Sequence, residues 1–403
     1  METSDIQEMR LDRIVSTRKV QRKLAADGPV ATCAAGVELL SRKLFLSQVF
    51  ATLFERGVID ALPRRRLQDT VEVYPNHPSV CLDYDHDSPS NAETDRFVAM
   101  VPDGHVFAGS GAVFTTQGEL VVDSLAAPTS SSEYTTIPLI EHLFRDGPRF
   151  TANILGGDVR SFDAVDSSTD VLCPLIPRYR NYYHWTVETL PKLRLLDRFR
   201  RETGREPTLL LPDDPPSWML ESFSLLGGDE FSVRYAKNPV YLAESVLVHS
   251  FIDTVSPEEH QWFKRQTAHL RDDSGIDQSR RVYVSRASAR ERRVNNYTAL
   301  LDVLAAYGFE TYRLEELSVA EQVQLFANAE VVVGPHGAGL SNLIYSEDVT
   351  VVELFGDNLK QNFSRIAETA GFEYHCLRGR QDGPDIDVDV SRLSETLEHV
   401  IDE

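Results

Sequence analysis

Val331-Val332-Val333-Gly334-Pro335-His336-Gly337-Ala338-Gly339-Leu340-Ser341-Asn342 is the stretch that decides the fold class. Three β-branched residues in a row read as a buried strand. The glycines that follow let the backbone come close to a ligand, and the chain then opens a helix. Free N–H groups at a helix start, with the positive end of its dipole, suit a diphosphate. From the glycine pattern alone, a tight strand-to-helix turn is an equal reading. His336 adds a hydrogen bond or a charge for the anion. Residues 349–354 read as the next strand, where the Glu353 carboxylate can accept from two ribose hydroxyls. A dinucleotide fingerprint fits less well, because its third glycine would be Asn342 and Glu353 comes early for a ribose acid.

Upstream, residues 282–285 form a strand with Arg280 and Arg281 before it and Arg286 after it. Arg286 thus stands at a strand end as a phosphate clamp, while at least half of the run 290–293 reads as a solvated face. Asn296 is expected to cap a helix carrying Leu300, Leu301, Leu304 and Tyr307, with Gly308 as its stop. Ser318 and Glu321 form a capping box for a helix running to about residue 329. Nearer the N-terminus, strands are expected at 171–176, 208–211 and 246–249, and a helix at 217–226 ends at Gly227 and Gly228. Strands alternating with helices imply parallel sheets with right-handed crossovers.

At 403 residues the chain exceeds what one core usually fills. The expected organisation is a helical extension over 1–70 and a small β-rich region over 71–165. Two Rossmann-like α/β domains follow, at 166–270 and 271–403, with the polar stretch 271–279 as the linker. Residues 124–136, rich in Ser, Thr and Pro, read as an exposed loop.

The net charge is -21, from 41 Lys+Arg against 62 Asp+Glu. Such self-repulsion is tolerable when salt screens it, so one reading is adaptation to a salt-rich, halophile-like cytoplasm and the other an acidic mesophilic protein. No basic face suits a nucleic acid. Cys33, Cys81, Cys173 and Cys376 make no C-x-x-C pair, which argues against a zinc ribbon or a disulfide framework. Residues 1–22 are charged throughout without an apolar leader run, so a cytoplasmic location is expected, with peripheral work at the inner membrane surface left open.

The segment Asn181-Tyr182-Tyr183-His184-Trp185-Thr186-Val187-Glu188-Thr189-Leu190-Pro191 places His184 and Glu188 one helical turn apart. From spacing alone the pair reads as a structural hydrogen bond; either member is also chemically fit to be a base. An unbroken helix is excluded, since Pro191 would clash with the Val187 carbonyl. No third ligand is spaced for zinc. Asp83-x-Asp85-x-Asp87 and Asp385-x-Asp387-x-Asp389 read as solvated acids in so acidic a chain.

In order along the chain, three segments resemble the signature of the family 61 glycosyltransferases: 181–191, the stretch 282–296 with Ser285-Arg286 and Arg292-Arg293, and 334–342 with Glu353. The resemblance covers residues 171–372. It implies a GT-B type fold, two Rossmann-like domains facing across a cleft. It also implies inverting transfer from a nucleotide-sugar donor to a glycan, glycolipid or lipid-linked acceptor, without a metal or other cofactor. On that resemblance His336, Gly337, Ala338, Gly339, Arg286, Arg292, Asn342 and Glu353 hold the donor. His184 and Glu188 face the acceptor, one of them as base, with Asn181 and Trp185 beside them. Where the family continues with Asn-Glu after the Arg run, this chain has Asn296-Tyr297, so a contact of that Glu is missing or replaced. The alternatives are a non-catalytic nucleotide-sugar-binding protein and a Rossmann oxidoreductase using a dinucleotide cofactor.

Overall fold

The computed structural model describes residues 64–65, 96–116, 120–124, 171–177, 179–238, 240–270 and 280–402. The chain divides at Leu62/Pro63, and the described residues lie in the second unit, Pro63–Glu403. Nearly all of the expected helical extension, most of the 124–136 loop, the 271–279 linker, Cys33, Cys81 and the Asp83–Asp87 acids fall outside the described residues.

The first sheet has eight strands: β1 (Arg64–Arg65), β2 (Val98–Phe107), β3 (Ala112–Phe114), β4 (Leu120–Val121), β5 (Val171–Pro174), β6 (Thr208–Leu211), β7 (Ser232–Tyr235) and β8 (Val240–His249). Their spatial order is β1-β4-β3-β2-β8-β5-β6-β7. Strands β8, β5, β6 and β7 are mutually parallel, whereas β8-β2-β3-β4 run antiparallel. The expected β-rich region therefore extends the α/β sheet, at least over its described part. Two short runs, 97–101 and 106–107, are expected from the sequence, yet one strand passes through Asp103 and Gly104. Asp103 takes φ 47°, and a Cβ on Gly104 would lie 2.8 Å from Val246 Cγ2. The turn-forming residues here permit a close strand crossing instead of ending the strand.

The second sheet is wholly parallel: β9 (Arg280–Val284), β10 (Glu310–Tyr312), β11 (Ala329–Pro335), β12 (Thr350–Phe355) and β13 (Tyr374–Arg378), in the order β10-β9-β11-β12-β13. In chain order this is the 2-1-3-4-5 arrangement of a doubly wound sheet, whose direction of winding reverses between β9 and β11. Ligands of such sheets sit outside the carboxyl ends of the strands at that reversal.

Helices α1 (Tyr182–Thr186), α2 (Lys192–Thr203) and α3 (Ser217–Leu225) follow strands of the first sheet, whereas α4 (Pro257–Gln266) packs on segments of the second, with His260 against Phe372 and Phe263 against Tyr345. Helices α5 (Tyr297–Ala306), α6 (Val319–Ala327), α7 (Asn362–Ala370) and α8 (Val390–Asp402) accompany the second, with a small hairpin of β14 (Arg380–Asp382) and β15 (Asp385–Asp387). Strand periodicity assigns the faces. Tyr283, Val331, Val333, Val352 and Leu354 pack with Leu300 and Leu304 of α5 and Leu393 and Leu397 of α8. Val282, Val284, Val332 and Val351 belong to the opposite core, with Val323 and Phe326 of α6 and Phe363 and Ile366 of α7. That core continues without a break into Trp185, Leu196, Phe199 and Phe223, so the helices of both sheets share one apolar interior.

Local signals hold at most helix ends. The Ser318–Glu321 capping box forms, and Gly227 closes α3 in the left-handed region. Asn296 departs from expectation: its side chain makes no cap, because Nδ2 donates to the Val388 carbonyl (2.7 Å) and Oδ1 accepts from the Val388 N–H (2.9 Å).

Candidate donor and acceptor sites

The glycine-rich loop leaves β11 at its carboxyl end, next to the end of β9, at the winding reversal. A cleft of about 770 Å³ opens there, with Arg286, Gly337 and Gly339 on one side and Asn181, Tyr182 and Trp218 on the other. The segment after the loop, Ala338–Tyr345, forms the expected helix, wound as a 3-10 helix, and residues 340–345 are all buried. Gly337 is fully extended (φ -177°), so left-handed freedom is not its purpose. A Cβ there would lie 2.2 Å from Arg286 Nη1; the missing side chain lets the guanidinium rest on the loop backbone. Ala338 is half-buried beside it, and Gly339 leaves room for Leu314, 2.8 Å from where its Cβ would stand.

Arg286 is held by one hydrogen bond, Nη2 to the Glu291 carbonyl (3.1 Å), while its Nε is buried without a partner. Burial, and after it the nearby Arg292, bring the guanidinium down to about 10 against the pull of Glu315 and Glu291. Arg292 is also lowered by burial, and its backbone sits in the left-handed region (φ 60°). A non-glycine residue is held there only when its surroundings over-determine it. Two desolvated cations together, one with an orphaned N–H, favour an anion between them. Arg293 points elsewhere: it grips Asp385 (Nη2–Oδ2 2.6 Å), so one of the run's three arginines is structural, and Arg290 is exposed. Asp387 likewise pairs with Arg380 and Asp389 accepts from the Arg392 N–H (3.1 Å), so these acids are bonded and not merely solvated.

Three expected donor contacts are placed differently. Glu353 has no exposed surface; its Oε1 is 2.5 Å from His336 Nδ1 and its Oε2 accepts from the Tyr374 hydroxyl at 2.6 Å. Both oxygens are committed, so it presents none to a ribose. Asn342 is equally buried and spends its amide on Tyr182 (2.7 Å), Gln322 (2.9 Å) and the Gly339 carbonyl (3.2 Å). It locks α1 to α6 across the cleft floor. His336 is 7% exposed, stacked on Phe355 (ring centroids 5.1 Å apart) and flanked by Phe363 at 5.2 Å.

On the other wall, α1 ends at Thr186, well before Pro191, which resolves the clash read from the sequence. His184 Nδ1 still reaches Glu188 Oε2 at 2.7 Å, although out of line for a directed hydrogen bond. Asn181 caps α1, accepting from the His184 N–H at 3.0 Å. Trp185 does not face an acceptor: it is wholly buried and its indole N–H donates to Ser222 at 2.9 Å. Below Glu188, Lys192 is buried and lowered to about 8 by desolvation, against the pull of Cys173 and Glu188. Aromatic contacts run from His184 to Tyr183 to Phe363 to His336, linking the two motif regions through one layer. Among the described residues, no group of His, Cys, Asp or Glu is disposed to hold a metal ion, and no helix is long and apolar enough to cross a membrane.

Sequence reasoning missed several cleft residues. Trp218 and Glu221 lie in a segment read only as a helix, Leu314 lies in a stretch given no reading, and no motif marks any of them. Tyr374 stands on a strand the sequence did not announce.

Comparison with known proteins agrees with the motif reading. Residues 182–352 match the family model described as Glycosyltransferase 61. The chain is also similar to an EGF domain-specific O-linked N-acetylglucosamine transferase from Gallus gallus, 28% identical over 106 residues. That match covers 25% of this chain and 20% of the relative, so the chain spans about a fifth of the relative's length. The resemblance to family 61 is thus borne out over residues 182–352, which hold the three motifs except Asn181 and Glu353, and it supports a glycosyltransferase.

Proposed function

We propose that the chain is an inverting glycosyltransferase that takes a sugar from a nucleotide-sugar and gives it to a glycan, glycolipid or lipid-linked acceptor, using no metal. One observation carries this reading. The desolvated pair Arg286 and Arg292 lies at the carboxyl end of β9, with Arg286 pressed onto the backbone of Gly337 where the sheet order reverses. A nucleoside diphosphate matches that site in charge, and the cleft beside it has room for the nucleoside. The two α/β sheets are read as the two halves of a GT-B type arrangement, donor on the second and acceptor on the first.

Inverting transfer needs a base for the acceptor hydroxyl and a clamp for the leaving diphosphate. Arg286 and Arg292 stabilise the charge that builds as the glycosidic bond breaks. His184 is the more exposed of its pair, 19% against 10% for Glu188, which favours His184 as the base, with Glu188 steadying the ring from behind. Similarity to an O-linked N-acetylglucosamine transferase favours a sugar acceptor or hydroxyl acceptor over a dinucleotide-linked redox substrate.

The test is thermal shift against UDP-, GDP-, CMP- and dTDP-sugars, with NAD and FAD as comparators, on wild type and Arg286→Ala. One nucleotide-sugar is expected to stabilise the wild type and to lose its effect in the variant. Stabilisation by NAD or FAD alone would overturn the reading. Stabilisation equal in both proteins would remove the donor from this site.

A further inference from the structure

With both oxygens of Glu353 committed inside the fold, the ribose of a bound nucleotide needs another partner. Vicinal hydroxyls are best met by an ionised carboxylate, which only accepts and has room for several donors. Among the described residues, Glu221 and Glu315 are the carboxylates that line the cleft. Their surroundings differ. Glu221, on α3, accepts through Oε1 from the Ala320 N–H (3.0 Å) at the start of α6. Glu315 lies just beyond the carboxyl end of β10, the strand beside β9, and its charge is near enough to Arg286 to pull on the guanidinium. The turn that carries Glu315 is fixed from below. Leu314 is buried, 2.8 Å from where a Cβ on Gly339 would stand, so it packs under the glycine loop. Gln322 donates to the Leu314 carbonyl (2.9 Å) and the Leu317 carbonyl (3.2 Å), holding both ends of the turn. Of the two acids in it, Glu316 pairs with Arg313 (3.2 Å) and forms no part of the cleft wall. Glu315 is exposed and accepts from the Ser288 hydroxyl through Oε1, while its Oε2 accepts from no described residue. Ser288 follows Arg286 by two residues, so the carboxylate is tied to the same loop as the phosphate clamp.

We propose that Glu315 is the ribose-binding residue of the donor site: it accepts from the 2′- and 3′-hydroxyls of a nucleoside whose diphosphate lies on Arg286, and it makes the cleft selective for ribonucleoside over 2′-deoxyribonucleoside diphosphates. The inference rests on the donor reading above and adds to it the sugar of the nucleotide. An acid beside a phosphate clamp that touched nothing on the ligand would only repel it. The two accounts of Glu315 therefore differ in sign. As a ribose ligand, neutralising it weakens binding of the ribonucleotide. As a bystander, neutralising it strengthens every nucleoside diphosphate alike. The 2′-deoxy form keeps one of the two hydroxyls, so its affinity changes less than that of the ribonucleotide.

Calorimetric titration of the full-length protein with UDP, GDP, ADP and CDP, each beside its 2′-deoxy counterpart, tests this in wild type, Glu315→Gln, Glu316→Gln and Glu221→Gln. In wild type the best ribonucleotide should bind about tenfold more tightly than its 2′-deoxy form. That is the low end of what a hydrogen bond to a charged group supplies, as suits an exposed carboxylate. Glu315→Gln should lose most of this preference by binding the ribonucleotide more weakly, while the unliganded protein melts as the wild type does. Glu316→Gln should keep the preference. Equal binding of the two sugars by wild type would overturn the inference, as would a Glu315→Gln protein that keeps the ratio or binds both forms more tightly. Loss of the preference in Glu221→Gln instead would place the ribose at α3 and overturn it too. In each of those cases, binding that still weakens in Arg286→Ala leaves the donor reading standing. No binding of any of the eight nucleotides would overturn the donor reading, and the role of Glu315 with it.

Discussion

Gly337→Ala is the sharpest perturbation the cleft allows. The backbone there is extended, so alanine fits its φ without strain, and the change tends to stabilise the folded chain by roughly 0.4–1 kcal/mol through the unfolded state. The added Cβ would lie 2.2 Å from Arg286 Nη1 and 2.9 Å from its Cζ, so the guanidinium must leave. It is the far end of a flexible side chain held by one hydrogen bond to Glu291, and moving it costs the fold little. What is lost is a charge-assisted contact to the donor diphosphate, worth roughly 1.5–3 kcal/mol. At ~1.4 kcal/mol per decade, nucleotide affinity should fall about 10- to 100-fold while the melting temperature stays level or rises. Calorimetric titration with the preferred nucleoside diphosphate, paired with a thermal melt of the unliganded protein, reads both quantities. Affinity unchanged within about twofold would refute the placement of Arg286, since ~0.4 kcal/mol is less than any direct phosphate contact supplies. A melting point several degrees lower would refute the claim that the loop has room to let the arginine go.

Three further outcomes follow from the same geometry. Glu259 is wholly buried, takes a two-pronged contact from Arg96 (2.9 and 3.1 Å) and completes the α4 capping box, so Glu259→Gln should destabilise by about 3–5 kcal/mol in denaturant melts. Lys192 has its folded pKa lowered to about 8 from 10.5. The unfolded chain therefore binds more protons between those values, and stability from this residue rises with pH across that window. Lys192→Met should be the more stable protein at pH 7, by up to roughly 3 kcal/mol, with the gap closing toward pH 10; a gap independent of pH would contradict it. Finally, the net charge of -21 predicts that molar NaCl raises the melting temperature markedly, with most of the gain complete once the screening length has fallen to a few ångströms, about 3 Å at 1 M.

Strands β9, β11 and β12 of the second sheet were legible because they announce themselves: runs such as 331–333 are short, β-branched and followed by glycine. The order of those strands was not legible, since only long-range pairing, Val282 with Glu310 on one side and with Val332 on the other, determines that β9 lies between β10 and β11. Strands β7, β10 and β13 were missed for a simple reason. Ser232–Tyr235 alternates only weakly in polarity, Glu310–Tyr312 is short and mostly exposed, and Tyr374–Arg378 is polar at most positions, as edge strands with half-exposed faces are. At the site, motif residues were found but their roles were not. Glu353, Asn342 and Trp185 are recognisable as special, yet whether a side chain turns into the cleft or away from it depends on tertiary partners. Tyr374, Gln322 and Ser222 are those partners, and nothing in the local sequence names them. Arg286 was legible for the opposite reason: a cation at the end of a parallel strand has only one place to be.

The most direct measurement of the central claim is release of nucleoside diphosphate from a panel of nucleotide-sugars, with and without simple hydroxyl acceptors, by wild type, Arg286→Ala and Glu188→Gln. One donor should turn over, faster with acceptor present, with Arg286→Ala impaired in KM for the donor and Glu188→Gln impaired chiefly in kcat. A nucleotide-sugar that binds in the cleft yet is never cleaved by the wild type, or cleavage that survives both substitutions unchanged, would contradict a transferase built on this pair of sites.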